Sequence, residues 1–241
     1  MKFSLSSPRS RSASRLALCA AAAALVGLAP ARAVEPSEFS QAERLVFTER
    51  HLNNVSVPGS LRYSFVKSGS LESGFTDEVR LDVKRAATGC CVVAGNFLSG
   101  EREVKLPDIA EAESNPVILY FLERDIREME RLTKGKSAYF RKRIRMTMAE
   151  NASVRATKVN YNGREVAAQE VSIAPYENDP LRSRFERYAG KRYTFVLANA
   201  VPGGVYRVST VLPGALPSDA PVMEETLTLS GPTGAPSSNK K

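Results

Sequence analysis

One histidine, one adjacent pair of cysteines and one basic run are the side chains of this chain whose types and spacing could do chemistry. His51 is the single histidine. A lone histidine cannot build a histidine-based metal site, and no acidic or cysteine cluster at ligand spacing accompanies it. Counting alone leaves a Ser-His-Asp site open, but no serine sits in a nucleophile-elbow context. A structural role for His51 is the expectation. Cys90 and Cys91 are neighbours, with Cα atoms about 3.8 Å apart across a trans peptide, shorter than the usual disulfide span. Two readings stand. A vicinal bridge would be strained and reducible, and two small buried hydrophobes in a strand would point to opposite faces. The second is expected.

The basic run is Arg141-Lys142-Arg143 with Arg145, and Lys134 and Lys136 lie nearby. It fits a contact with anionic lipid headgroups or an acidic protein surface. The ordinary alternative is a solvated face balanced by Glu123, Asp125, Glu128 and Glu130 upstream. No glycine-rich phosphate loop occurs, and the scattered acids mark no glycosidase-like pair. The absence of tryptophan weakens carbohydrate-stacking readings. No constellation meets the requirements of an active site, so neither an enzyme nor a cofactor is expected.

The N-terminus decides the compartment. Lys2, Arg9, Arg11 and Arg15 precede an alanine-rich apolar run over residues 16–28. Pro30 and Ala31-Arg32-Ala33 follow, the pattern of a basic n-region, a short h-region and an A-x-A cleavage site. The run is too short to span a bilayer. Cleavage is expected after Ala33, leaving Val34 as the new N-terminus, with the protein exported to a periplasm by the general secretory route because no paired arginines precede the run. Cys19 has the bulky Leu18 before it, so lipid attachment there is not expected.

Export also reinterprets the charge. The whole chain carries +8, from 34 basic and 26 acidic residues. Residues 1–33 hold five of the basic side chains and no acid, which leaves 29 against 26 and a mature charge of +3. The high isoelectric point belongs largely to the leader and argues for no nucleic-acid partner. The mature length suits one domain over residues 34–230. Residues 231–241 are small, polar and proline-containing, and are expected to be disordered.

The elements that position these side chains alternate between two periods. Ser37 to Leu52 suggests a short helix or a helix plus turn, with Ser37 a candidate N-cap, although Phe39, Leu45, Val46 and Phe47 fit no single period. Leu61, Tyr63 and Phe65 alternate with Arg62 and Ser64, and Val79, Leu81 and Val83 with charged residues, which predicts strands with one dry face. Cys90 to Ala94 reads as a strand buried on both sides, and Glu101 to Leu106 as another short strand. Asn115-Pro116 opens the clearest helix. Its apolar stripe is Leu119, Leu122, Ile126, Met129 and Leu132, its exposed side pairs Glu123 with Arg127 and Glu130 with Lys134, and Gly135 is placed to end it.

Residues 139–150 fit a second helix capped by Ser137, or a strand; the helix is preferred. Beyond Val154 the strand pattern returns. Asn162-Gly163 marks a tight hairpin. Asp179 to Tyr188 suggests a short helix, Tyr193 to Leu197 and Val205 to Leu212 strands around a Pro202-Gly203-Gly204 turn, and Met223 to Leu229 a last strand.

This order predicts an α+β fold, mostly antiparallel β: a strongly curved sheet or incomplete half-barrel covered by an amphipathic helix. In layout the chain resembles the periplasmic half-barrel proteins that carry lipoproteins, the LolA/LolB-like superfamily. The resemblance rests on Leu61-Arg-Tyr-Ser-Phe65, Asp77-Glu-Val-Arg-Leu-Asp-Val83, the helix from Asn115 and the Asn162-Gly163 hairpin, and covers most of residues 55–215. Residues 115–125 also resemble a stretch of uncharacterised proteobacterial periplasmic proteins. The resemblance implies an apolar cavity between sheet and helix, able to hold acyl chains. Leu61, Tyr63, Phe65, Val79, Leu81, Leu122, Ile126 and Met129 would line it, and the same residues would equally form a packed core. The functional expectation is a non-enzymatic carrier for a lipid or other hydrophobic ligand. The alternative is a periplasmic assembly factor that acts through its surface at Arg141, Lys142, Arg143 and Arg145.

Overall fold

A computed structural model describes residues 38–230, except positions 89, 105, 106 and 217. The expected leader and cleavage site, Ser37 and the residues 231–241 lie outside the described residues.

Nine strands form one antiparallel sheet in the order β4-β3-β2-β1-β9-β8-β7-β6-β5. The chain first runs β1 (Gly59–Ser68), β2 (Phe75–Arg85), β3 (Cys91–Phe97) and β4 (Ile109–Ala112), a meander toward one edge. Two helices follow, α2 (Val117–Thr133) and α3 (Ser137–Glu150), after a short N-terminal α1 (Gln41–Glu43). The chain then returns through β5 (Ser153–Tyr161), β6 (Arg164–Ile173), β7 (Arg192–Leu197), β8 (Val205–Leu212) and β9 (Met223–Leu229). β9 pairs with β1, so β4 and β5 are the two ends of the sheet. The helical connection therefore has to run from one edge to the other across a face. The fold is α+β, an open half-barrel sheet with helices over its inner side, as the order of elements implies.

Alternation in the strands becomes burial. Tyr63, Phe65, Val79, Leu81 and Val83 are fully buried, as are Tyr193, Phe195, Val208 and Leu227 from the second meander. Phe65 sits among rings, 6.2 Å from Phe97 and 6.3 Å from Phe121 of α2. β3 alternates as well: Cys91 and Val93 are buried while Val92 and Ala94 are half-buried, so it is not covered on both faces. Asn162 and Gly163 both take positive φ, 51° and 76°, as the two-residue hairpin requires.

The starts and stops of the helices differ from expectation for local reasons. Asn115 does cap α2, its Oδ1 accepting the Val117 N–H at 3.1 Å. Lys134, not Gly135, takes the left-handed conformation that ends the helix. Gly135 is small because a Cβ there would lie 2.7 Å from the Phe140 ring. Ser137 is the first residue of α3 and not its cap, and its hydroxyl donates to Glu130, which is thereby drawn away from Lys134. Ser40 opens the N-terminal segment through a capping box with Glu43. The winding then widens to a π turn at Arg44–Thr48 and tightens to a 3-10 turn at His51–Asn54. Three windings in fifteen residues explain why no single period fits.

Other short elements also depart from expectation. Gly100–Arg102 is a 3-10 turn, and Val104 makes one bridge to Phe97, where a strand over 101–106 was expected. The short helix expected over 179–188 is two 3-10 turns, Arg182–Arg184 and Glu186–Tyr188. Cys90 and Cys91 are joined in a vicinal disulfide and do not point to opposite faces. Cys90 lies just before β3, its carbonyl accepting the Ala86 N–H at 3.3 Å.

Two successive charges tie α2 to the sheet. Arg124 reaches Glu225 of β9 at 2.9 Å and stacks over the Phe65 ring, 4.8 Å from its centroid. Asp125 pairs with the buried Lys191 just before β7, and accepts the Tyr193 hydroxyl at 2.6 Å. Burial alone would push the Glu225 carboxyl up, but Arg124, Lys191 and Lys67 outweigh it and hold the group below the usual carboxylate range. A buried carboxylate paired in this way locks the helix in one register on the sheet.

Candidate functional site

α2 carries more apolar surface than the sheet can cover. Val117 through Leu122 is an unbroken apolar run of six, longer than one helical turn. Val117, Ile118, Phe121 and Met129 face the sheet and are buried. Leu119, which the sequence places on the core stripe, is half exposed instead. Together with Leu122 and Ile126 it turns to a second side of the helix, where a groove opens.

The groove has a volume of about 510 Å³ and lies on the outer helical side of the molecule. Leu119, Leu122 and Ile126 of α2 form one wall. Ile144 of α3 and Phe39 and Phe47 of the N-terminal segment complete the apolar lining, with Tyr120 and Pro107 closing one side. The N-terminal wall is held from three directions. Ser40 Oγ donates to the Met148 carbonyl at 3.2 Å, and Ser114 Oγ to the Phe47 carbonyl at 2.9 Å. His51 Nε2 donates to the Leu45 carbonyl at 2.9 Å, while its Nδ1 accepts the Asn115 N–H at 3.3 Å. Burial lowers the His51 pKa, against the opposing pull of the Leu45 carbonyl and Glu49. The ring is thus a neutral strut between the N-terminal segment and the start of α2, and it does not line the groove.

Four charged side chains edge the groove. Glu43 is occupied by the capping box, its Oε2 accepting the Ser40 N–H at 2.9 Å. Arg141 binds both oxygens of Glu123, at 3.0 and 2.9 Å. Arg145 is exposed and makes no ion pair or hydrogen bond with a described residue.

The basic run of the sequence is therefore split by the helix, at about 100° per residue. Arg141 is neutralised by Glu123, Lys142 is exposed to solvent, and Arg143 turns inward to Asp179 at 2.6 Å. Only Arg141 and Arg145 reach the groove. The four do not form one patch. Of the apolar residues singled out in the sequence, Leu122 and Ile126 reach the groove, whereas Leu61, Tyr63, Phe65, Val79, Leu81 and Met129 lie in the packed core. Phe39, Phe47, Leu119 and Ile144 were not among the expected ligand-lining residues, whereas Arg145 was among the expected contact residues. The six-residue apolar run of α2 is the signal that could have found the groove.

Two other hollows are edged by ion-paired side chains. One of about 540 Å³ on β1–β3 is edged by Arg62 with Glu78, at 2.7 Å, and Arg80 with Asp82, at 2.9 Å. Another of about 420 Å³ beside α2 holds Lys67, Arg102, Arg124 and Arg131, each ion-paired with a carboxylate. Among the described residues no cluster of His, Cys, Asp and Glu side chains is placed to hold a metal ion.

No protein-family model matches the chain, and no curated protein matches it. Among solved structures the chain is similar to the crystal structure of the Mycobacterium tuberculosis lipoprotein LppX. The likeness has 13% sequence identity and a TM-score of 0.33, over 79% of this chain and 95% of that one. It offers nothing for the proteobacterial association of residues 115–125. No described helix is long and apolar enough to cross a membrane.

Proposed function

We propose that this chain is a non-enzymatic binding or carrier protein that holds a hydrophobic ligand in the groove between the N-terminal segment, α2 and α3. The observation that carries this reading is the second apolar side of α2, with Leu119 half exposed over a groove of about 510 Å³. That volume falls within the roughly 300–1,000 Å³ of small-molecule sites. An exposed leucine set in a concave apolar wall lowers its free energy by meeting an apolar ligand. In the same proposal the leader pattern read in residues 1–33 supports a periplasmic location, and the LolA/LolB-like layout is in keeping with it. The ligand site lies on the outer side of the helices, since the sheet–helix interior is filled by its own side chains.

Native mass spectrometry of protein purified from its cells without detergent tests the reading. The expected spectrum contains an adduct that organic extraction removes and that Leu119→Glu abolishes, since a charge at this exposed position spoils the wall without disturbing the core. A single species at the bare polypeptide mass, with no added apolar compound retained either, overturns it.

A further inference from the structure

We infer that the groove selects a single-chain amphiphile with a carboxylate head, a fatty-acid-type anion, and that Arg145 binds the head. This inference rests on the groove reading above and goes further by naming the ligand class. Three features of the groove converge on it.

The first is charge left over. Glu123 and Arg141 at the groove edge satisfy each other, and Glu43 is engaged by the Ser40 N–H. Arg145 alone among the groove's charged side chains has no partner among the described residues. It sits one residue after Ile144, which lines the apolar floor, so the cation stands beside the greasy wall. A guanidinium offers a planar fork that matches a carboxylate with two parallel hydrogen bonds.

The second is the size of the charge. One arginine neutralises one negative charge. A carboxylate, with one negative charge, matches the single Arg145 cation one to one. A phosphate monoester carries roughly −1.5 to −2 at neutral pH and would add further negative charge beside Glu43.

The third is volume. At about 510 Å³ the groove has the size of a site for one small ligand, in keeping with a single acyl chain.

Displacement of an uncharged naphthylamine dye from the groove measures affinity for three probes with the same ten-carbon chain: decanoate, decanol and decyltrimethylammonium. For the wild-type chain decanoate is expected to bind about tenfold more tightly than decanol or more, with the ammonium probe weakest. Arg145→Gln is expected to bring decanoate down to the decanol value, leave decanol unchanged and leave the melting temperature unchanged. Arg145→Lys should retain part of the preference, and added salt should narrow it. If decanoate and decanol compete equally well in the wild-type chain, the assignment of the head falls and the groove stands. If neither displaces the dye, or if Leu119→Glu leaves dye binding intact, the groove reading itself fails and takes this inference with it.

Discussion

Asp125→Ala is expected to lower the unfolding free energy by about 3–5 kcal/mol, the usual cost of removing one partner from a buried ion pair. Asp125 and Lys191 are both wholly buried, and they are 66 positions apart in the chain. The substitution leaves the Lys191 ammonium without its counter-charge and the Tyr193 hydroxyl without its acceptor. Tyr193 is itself hydrogen-bonded to Tyr176 at 3.1 Å, so the loss reaches a second ring. The melting temperature should fall by on the order of 10 °C for a chain of this size. Urea unfolding of the single variant and of the double variant Asp125→Ala/Lys191→Met separates the terms. The double variant should recover a large part of the loss, because it no longer buries an unpaired charge. A single variant within 1 kcal/mol of wild type would show that this clamp does not hold α2 on the sheet.

Asn115→Leu is expected to cost about 3 kcal/mol, from three buried hydrogen bonds broken at once. Its Nδ2 donates to the Tyr63 hydroxyl and to the Gly203 carbonyl, each at 2.8 Å, and its Oδ1 caps α2 at Val117. One side chain thereby joins the start of α2 to β1 and to the turn before β8. Leucine keeps the branched outline and satisfies none of these groups. Asn115→Asp keeps the cap but buries a carboxylate against the Gly203 carbonyl, so it too should fall well below wild type in a denaturant series. Equal stability of all three proteins would remove Asn115 from the account.

These two residues also show what could be read from the sequence and what could not. Asn115 was legible as a cap because capping is local, decided by the next two residues. Its bonds to Tyr63 and Gly203 were not legible, since these residues are 52 and 88 positions away. Asp125 was read as part of a solvated acidic face, because nothing near it in sequence announces Lys191. β1, β2 and the Asn162-Gly163 hairpin were plain, since one wet and one dry face impose period two and the turn demands positive φ. β4 was hidden because four residues are too short to show a period. The N-terminal segment was hidden because its winding changes within fifteen residues.

The groove shows the same division. Leu122 and Ile126 were visible as stripe residues, but which side of α2 meets the sheet is set by the charges at 124 and 125. Once those two are fixed to Glu225 and Lys191, Leu119 is carried to the outer side and the groove follows.

The most direct test of that placement is methyl NMR of the chain titrated with decanoate. The expected result is that the methyl signals of Leu119, Leu122, Ile126 and Ile144 shift together with saturation, while those of Leu61, Val79, Leu81 and Leu227 stay in place. Shifts of the interior methyls with the Leu119 and Ile144 signals unmoved would put the ligand between sheet and helix and contradict the groove.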